Sequence, residues 1–234
     1  MRQQTLRFGD AWARLGPWRG GGRVAHLVLA PDAPLTGEDV RQCIRRAQST
    51  GYEEMLTSAV GPDEEAPFLA AGFGVRARLH LLARELDGPP PTPALTIARA
   101  ARRDRPEVLA LDEAAFQPFW RLGPVGLRDA LDATPARQFR VTRSDDDPHA
   151  VTGYAITGLA GTTGYLQRVA VHPDASRRGC GRALVADALC WLWRNGAVGA
   201  YVNTQLDNER ALALYESFGF TELSDGLSVL WRSL

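Results

Sequence analysis

The sequence predicts an α/β fold in which a mixed central sheet is flanked by helices. Apolar segments typical of strands alternate along the chain with segments whose apolar residues recur at helical spacing. With 234 residues the chain is long enough for one large domain or two small ones, each burying a core.

A proline-rich segment marks the clearest internal boundary. Four prolines fall within the five residues 89–93, a composition that favours an extended, semi-rigid linker. The sequence therefore predicts a first domain at residues 1–88, a linker at 89–93 and a second domain at 94–234.

In the first domain three strands and two helices are expected, each bounded by turn residues. The strands are predicted at Val24 to Ala30, Glu54 to Val60 and Val75 to Glu85, and the helices at Gly37 to Ser49 and near Pro67.

The second domain is expected to hold six strands and four helices. Strands are predicted at Leu95 to Arg99, Arg137 to Arg143, Ala150 to Leu159, Tyr165 to Val171, Ala200 to Thr204 and Leu227 to Trp231. Helices are predicted at Arg103 to Phe116, around Val125 to Ala133, from Gly181 to the Asn195-Gly196 end signal, and at Asn208 to Phe218.

Charge and cysteine content exclude several classes of protein. All 27 basic residues are arginine and 27 acidic residues balance them, so no broad cationic face is expected for a nucleic acid. Three cysteines without C-x-x-C spacing argue against a disulfide framework and a zinc site, and the four histidines show no ligand spacing. No apolar run approaches membrane-spanning length and no signal peptide is evident, so a cytoplasmic protein is expected.

A glycine- and arginine-rich loop connects a predicted strand to a predicted helix. Its sequence, Ser176-Arg-Arg-Gly-Cys-Gly-Arg182, places backbone N–H groups and a helix dipole at one point, which favours an anion. Glycines at 179 and 181 would let the main chain approach a pyrophosphate closely. Residues 168–182 hold four arginines and one aspartate, a local charge of +3. An ordinary turn with surface arginines would explain the glycine pair alone.

The flanking motifs together resemble the GNAT superfamily of acyl-CoA-dependent N-acyltransferases. The matching segments are Val169-Ala-Val-His-Pro173, Arg178-Gly-Cys-Gly-Arg-Ala-Leu184, and Asn208-Glu-Arg-Ala211 through Leu214-Tyr215 to Gly219-Phe220. The resemblance covers residues 94 to 234. It departs from the family at Ser176, where Gln or Arg is usual.

The resemblance implies direct transfer of an acyl group, usually acetyl, from acetyl-CoA to an amine. The strand before the loop would diverge from its parallel neighbour and pair through Val169, Ala170 and Val171 with the pantetheine arm, one amide polarising the thioester carbonyl. The pyrophosphate would be held by the amides of Arg177, Arg178, Gly179, Cys180, Gly181 and Arg182. Asn208 is expected to contact the cofactor, or to serve as a plain N-cap.

Tyr215 matches the tyrosine that protonates the departing thiolate in this family, although a core tyrosine is the alternative. The general base is not evident. Gln167 stands where family members often carry glutamate, and it cannot take a proton, so Asp112, Glu113 or a water chain remain candidates.

Two further sets of side chains have more than one possible role. Phe116 and Trp120, with Gln167, are expected to line an acceptor pocket, with core packing an equal alternative for the aromatics. Cys180 at a helix N-terminus could have a lowered thiol pKa, but no base is placed to serve it, and we assign it a main-chain role.

The first domain echoes the second in two short matches. Residues 28–33 resemble residues 169–175, and Phe68 to Phe73 resembles Tyr215 to Phe220. After Pro31, however, Gly-x-Gly is missing and Glu38 and Asp39 occupy the place of a phosphate. We expect a cofactor-free GNAT-like domain, with coincidence as the alternative.

The acceptor is predicted only as a class, a small-molecule amine or a peptide N-terminus, without nucleic acid, membrane or metal. The Asn-x-x-Ala-x-x-Leu-Tyr pattern is similar to enzymes that acetylate protein N-termini, whereas a tandem layout is similar to an enzyme that acetylates a thiol-sugar amine. A non-catalytic acyl-CoA-binding or sensing module is the alternative function, and the oligomeric state is left open.

Overall fold

The computed structural model describes residues 3–30, 34–144 and 146–234. Contacts divide the chain into two units, one made of residues up to Leu81 with 205–207 and 223–234, the other of 82–204 and 208–222. In chain order the elements are β1 (Gln4–Phe8), β2 (Ala11–Pro17), β3 (Val24–Leu29), α1 (Gly37–Ser49), β4 (Glu54–Thr57), α2 (Pro62–Ala70), β5 (Gly74–Glu85), β6 (Ala98–Arg99), α3 (Arg105–Ala115), α4 (Pro124–Asp132), β7 (Ala136–Arg143), β8 (Val151–Ala160), β9 (Thr163–Val171), α5 (Cys180–Arg194), β10 (Gly199–Gln205), α6 (Glu209–Glu216), β11 (Thr221–Glu222) and β12 (Leu227–Ser233).

The first unit is a mixed sheet covered by α1 and α2. Its strand order is β1-β2-β3-β4-β12-β5, and only β3 and β4 run parallel among these neighbours. The core lies between the sheet and the two helices, with Val40 and Cys43 of α1 and Phe68 of α2 among its members. Burial in this core raises the pKa of the Cys43 thiol to about 12.

The second unit has a mixed sheet with helices on both faces. Its order is the end of β5, then β10-β9-β8-β7-β6, with β11 also paired to β5. One apolar cluster packs α5 and α6 on the sheet, and another packs α3 and α4. Val141 of β7 belongs to the second cluster while the adjacent Arg140 bonds Asp187 of α5, as expected for side chains that alternate between faces. The predicted α/β class with a mixed, helix-flanked sheet is confirmed.

The contact grouping differs from the boundary predicted at residues 89–93. Those prolines lie in the second unit, where the Cys190 thiol approaches the carbonyl oxygens of Pro91 and Pro90 at 3.5 and 3.8 Å. The C-terminal strand β12 lies in the first unit because it pairs with β4 and β5. Sequence reasoning could not assign that strand to a sheet, since its partners lie 148 to 179 residues earlier in the chain.

Three strands were not predicted: β1, β2 and the two-residue β11. β1 and β2 form an antiparallel hairpin around Gly9, whose φ of +61° favours glycine. In β2 the alternate residues Ala11, Ala13 and Leu15 are buried, and two alanines give only a weak apolar signal. Part of the predicted echo, Pro31 to Ala33, lies outside the described residues.

Candidate active site

The parallel strands β9 and β10 diverge partway along their length. They pair only from Thr163 to Tyr165 with Gly199 to Tyr201. Beyond that point β9 keeps its partner β8, but residues 166–171 have no paired strand on the other side in the described part of the chain. The divergence implied by the family resemblance is therefore present, and it leaves main-chain groups around Val169 and Val171 accessible to a ligand.

A β-bulge lies in β9 where this divergence begins. Arg168 pairs with Ile156 and Leu166 pairs with Thr157, so Gln167 is the extra residue. A bulge bends a strand and redirects a side chain, and bulges are frequent beside active sites. The Gln167 amide nitrogen lies 3.3 Å from the Thr134 hydroxyl, while its buried Oε1 has no partner among the described residues. The sequence placed Gln167 on the strand but gave no sign of the bulge.

The loop between β9 and α5 ends at a helix N-terminus without a side-chain cap. Gly179 is the N-cap residue in the left-handed conformation, with φ of +84°, and the first turn of α5 contains no acidic residue. The amide of Ala183 bonds the Gly179 carbonyl at 2.9 Å, whereas the preceding amides of a first helical turn have no acceptor within the helix. Their N–H groups and the helix dipole make this point suitable for an anion.

Packing alone does not require glycine at 181. A β-carbon built there would lie 3.4 Å from Leu214 Cδ2 and 3.6 Å from Val171 Cγ2, which is ordinary van der Waals contact. Gly179, by contrast, is required by its positive φ. Packing within the protein therefore does not explain the glycine at 181.

The cationic cluster predicted across residues 168–182 is smaller than expected. Arg177, Arg178 and Arg182 are exposed, and Arg182 donates to the Ser217 hydroxyl at 3.0 Å and lies over the Phe218 ring. Arg168 does not join them, because its side chain is only 13% exposed and is paired with a carboxylate elsewhere. Three arginines, not four, surround the loop.

That carboxylate belongs to Asp112, which organises a buried network. Its Oδ2 accepts from Arg168 Nε at 2.9 Å, from Arg168 Nη2 at 2.6 Å and from the Tyr154 hydroxyl, and its Oδ1 accepts from the Leu122 amide at 2.7 Å. A carboxylate that accepts four hydrogen bonds has its acceptor positions occupied and holds its surroundings in place. Glu113, the neighbouring candidate base, is exposed and ion-paired with Arg121 at 3.3 Å.

The aromatic residues expected at the acceptor pocket gather around Arg168. Its guanidinium lies 3.5 Å from the centre of the Phe116 ring, and its Nη2 donates to the Trp120 carbonyl at 2.7 Å. Phe116 and Trp120 are each partly buried. Sequence reasoning counted Arg168 with the phosphate loop and missed its role in joining β9 to the segment after α3. No local motif marks a contact between residues so far apart in the chain.

Tyr215 lies on α6 in the apolar cluster beneath α5 and is 6% exposed. Burial raises the pKa of its hydroxyl to about 12, an effect that the nearby Arg168 charge partly offsets. The hydroxyl therefore keeps its proton at neutral pH. Asn208 is the N-cap of α6, and its Oδ1 accepts from the Ala211 amide at 3.2 Å.

Cys180 opens α5 but is buried, with its sulfur 3.9 Å from the Thr152 hydroxyl. Across residues 3–30, 34–144 and 146–234, no cluster of three or more potential metal-ligating side chains occurs. Over the same ranges, no helix combines the length and apolarity needed to cross a membrane.

Comparison with known proteins defines the class. Residues 105–220 match the model of the acetyltransferase (GNAT) family, and they include the bulged strand, the loop and both helices described above. The GCN5-related N-acetyltransferase from Kribbella flavida has a similar fold, with a TM-score of 0.68 at 18% identity over 98% of this chain and 89% of that one. The chain belongs to the GNAT acetyltransferase family.

Two named groups of relatives resemble it in sequence. A mycothiol acetyltransferase of Frankia alni is 29% identical over 97% of this chain and 63% of its own length. A [ribosomal protein bS18]-alanine N-acetyltransferase of Escherichia coli is 36% identical over 72 residues, which are 31% of this chain and 49% of that protein. The chain thus spans less than two thirds of either relative. A tandem GNAT protein from the clavulanic acid biosynthesis pathway shares the fold over 97% of this chain and 81% of its own, with a TM-score of 0.68 at 16% identity.

Proposed function

We propose that this chain transfers the acetyl group of acetyl-CoA to a primary amine. The observation that carries the proposal is the divergence of β9 from β10 directly before the uncapped N-terminus of α5. An extended thioester arm could pair with the open edge of β9 while its pyrophosphate lies against the first turn of α5. One continuous segment, from the bulge to α5, would hold both ends of the same molecule.

The main chain would do most of the binding. The amides of residues 177–182 and the helix dipole would hold the pyrophosphate, with the exposed arginines 177 and 178 adding charge. Val169, Ala170 and Val171 would pair with the pantetheine arm. An amide of β9 donating to the thioester carbonyl oxygen would stabilise the negative charge that develops there.

The reaction then follows as a direct attack. The amine nitrogen forms a bond to the thioester carbonyl carbon, the carbon–sulfur bond breaks, and the thiolate takes a proton from the Tyr215 hydroxyl. A donor whose pKa is about 12 remains protonated at neutral pH and can supply that proton. The attacking amine loses its own proton to water, since Gln167 cannot accept one and Asp112 is fully hydrogen-bonded. The Tyr215 phenolate regains a proton from solvent, which restores the starting state.

We further propose that the acceptor binds beside the Arg168 network. Gln167 is the bulge residue, and its neighbour Arg168 contacts both Phe116 and Trp120. An amine bound beside these side chains would face the open edge of β9. The names of the relatives support two acceptor classes, a small-molecule amine and a peptide N-terminus.

For the first unit we propose a cofactor-free GNAT-like role. In α1, the helix that follows β3, the N-terminus is occupied by the chain's own Thr36 and Asp39 side chains, which satisfy the amides that a phosphate would need.

An amine panel tests the catalytic proposal. Purified protein with acetyl-CoA should release coenzyme A with at least one member of a panel of small amines and of peptides with free N-termini. Release should depend on the amine and fall in Tyr215→Phe. Tight binding of acetyl-CoA without acetylation of any panel member would instead support a non-catalytic acyl-CoA-binding module, which the absence of an acidic residue at Gln167 favours.

A further inference from the structure

A second cationic site lies in the same unit, away from the loop. A cavity of about 620 Å³, partly open to solvent, is lined by β6 and the segment after it, the start of α3, α4, β7 and Trp191 of α5. Its volume lies in the range of small-molecule sites. Trp191, on its α5 wall, comes eleven residues after Cys180, which corresponds to about 16 Å along the helix axis. The cavity is therefore separate from the N-terminus of α5.

Arginines form half of the cavity lining. The six are Arg99, Arg102, Arg105, Arg128, Arg137 and Arg140. Asp132 is the one acidic residue among the described lining residues. A chain with no net charge thus concentrates a formal charge of +5 around one concavity. Like charges gathered in one place repel one another, and an anion between them relieves that repulsion.

The charges of this lining are only partly neutralised within the protein. Arg137 pairs with Asp132 at 3.5 Å and Arg140 with Asp187 at 3.1 Å. The other four arginines form no ion pair with any residue that the structure describes. Guanidinium groups match phosphate oxygens in geometry as well as charge, so these four are suited to bind phosphate.

One buried polar atom beside the cavity lacks a partner. Gln138, between the two paired arginines on β7, lines the cavity and is only 8% exposed. Its side chain is hydrogen-bonded to Asp187, whereas its Oε1, which is closed off from solvent, has no hydrogen-bond partner in the described residues. Buried acceptors of this kind are rarely left unpaired, so the protein's own hydrogen bonds are incomplete at this part of the lining.

The remaining wall is aromatic. Phe139 and Trp191 are both partly exposed and line the cavity together with the arginines. Rings beside guanidinium groups favour a ligand that combines an organic ring system with anionic groups.

We propose that this cavity binds an organic polyphosphate, with its phosphates on the unpaired arginines and its organic body against Phe139 and Trp191. A concavity of this volume with a confined patch of charge suits a small molecule. The inference does not depend on the proposed acetyl transfer, because no residue of the cavity belongs to the loop or to the Tyr215 site.

The test measures the binding of two probes, ADP and inorganic pyrophosphate, to the full chain by calorimetry. Because both could also occupy the α5 N-terminus, binding is measured in Gly181→Glu, which blocks that point. In this background Arg102→Glu should weaken the affinity for ADP about tenfold or more. Arg103→Glu is the matched control, since Arg103 is the next residue, is 86% exposed and does not line the cavity; it should change the affinity less than twofold.

The proposal also predicts an order of probes. ADP should bind more tightly than pyrophosphate because of its ring system, and uncharged adenosine should not bind detectably. The proposal would be overturned if Arg102→Glu and Arg103→Glu weakened the affinity for ADP equally, or if Gly181→Glu did not bind ADP at millimolar concentration. Tighter binding of hexaglutamate or of a short single-stranded DNA than of ADP would also overturn it, because it would indicate a macromolecular partner. Unchanged circular dichroism of each variant excludes unfolding as the cause.

Discussion

The N-termini of α1 and α5 satisfy the same chemical requirement in opposite ways. At α1 the Thr36 hydroxyl accepts from the Asp39 amide at 3.3 Å, and the Asp39 carboxylate accepts from the Thr36 amide at 2.8 Å. Glu38 adds a second negative charge in the same turn. At α5 the cap is Gly179, no side chain bonds the free amides and the first turn carries no acid.

The difference separates a helix start that its own side chains cap from one that they leave open. Every α-helix leaves its first amides without partners inside the helix, so something else must bond them. In α1 the protein supplies that partner itself, which stabilises the helix but excludes a phosphate by charge and by space. In α5 the partner is left to the solvent or to a ligand.

The largest effect should come from giving α5 the acidic character of α1. In Gly181→Glu a carboxylate would lie at the point proposed for the pyrophosphate, and we expect the affinity for acetyl-CoA to fall about 1,000-fold, because like charges brought together in a site cost several kcal/mol. Calorimetric titration measures the change. The free energy of unfolding should not fall, since a β-carbon fits at this position and an acid in a first turn is favourable.

Gly37→Glu is the matched control. Gly37 is the first residue of α1, and the nearest atom to a β-carbon built there is Arg41 Nη1 at 3.6 Å. The same substitution at the other helix should leave acetyl-CoA binding unchanged. Equal weakening in the two variants, or none at Gly181, would show that the α5 N-terminus does not bind the pyrophosphate.

Tyr215→Phe should have the next largest effect. Removal of the hydroxyl should lower kcat about 100-fold, because the thiolate would leave without a positioned acid, while KM for acetyl-CoA changes little. Steady-state kinetics with an accepted amine separate the two parameters. A purely structural role would instead lower the unfolding temperature and alter both.

Tyr52→Phe in the first unit is its control. Tyr52 is also a buried tyrosine, 4% exposed, and burial raises its pKa, but its hydroxyl has no partner in the described structure. The same loss of one oxygen should leave kcat unchanged. If Tyr52→Phe and Tyr215→Phe changed kcat by the same factor, the catalytic assignment of Tyr215 would fail.

Local patterns predicted most of the fold. The helix predicted at Gly37 to Ser49 has those bounds, because Thr36 and Asp39 form a capping box that the sequence displays directly. The strand, loop and helix from Thr163 to Arg194 lie within a few residues of the prediction, because the loop glycines and the Asn195-Gly196 end signal bound the helix. The pairing of β12 with β4 and β5 could not be predicted, since strand partners far apart in sequence leave no local pattern.

The loop's backbone geometry could be anticipated from its glycines, whereas the side-chain network beside it could not. Glycines 179 and 181 indicate an open backbone by their identity alone. The bond between Arg168 and Asp112 joins residues 56 positions apart, and the bulge at Gln167 depends on the register with β8. Neither a charge count nor periodicity contains that information.

A smaller effect is expected from removing the α1 cap. Thr36→Ala should lower the free energy of unfolding by about 1 kcal/mol, the usual cost of losing an N-cap hydroxyl. Thermal or urea unfolding measures it. Ser176→Ala, in the loop before α5, is the comparison: Ser176 is not the α5 cap, so its loss should cost less than about 0.5 kcal/mol. A large loss at Ser176 would mean that the α5 N-terminus is capped after all.

The smallest predicted effect concerns the backbone of the α5 loop. Arg177 has φ of +62°, a conformation that costs a non-glycine residue about 1 kcal/mol, and strain of this kind is characteristic of binding sites. Arg177→Gly should raise the free energy of unfolding by less than about 1 kcal/mol, because relief of the strain is partly offset by the greater freedom of the unfolded chain. It should also weaken acetyl-CoA binding by less than about tenfold, through loss of one exposed charge.

Arg19, with φ of +52°, allows the two contributions to be separated, because it lies in the first unit far along the chain from the loop. Arg19→Gly should change stability by a similar small amount and leave acetyl-CoA binding unaltered. If Arg177→Gly instead bound acetyl-CoA more tightly, the strained conformation would not be the one that the ligand selects. The α5 N-terminus would then be uncapped without being preorganised, and the contrast with α1 would reduce to the absence of a capping side chain.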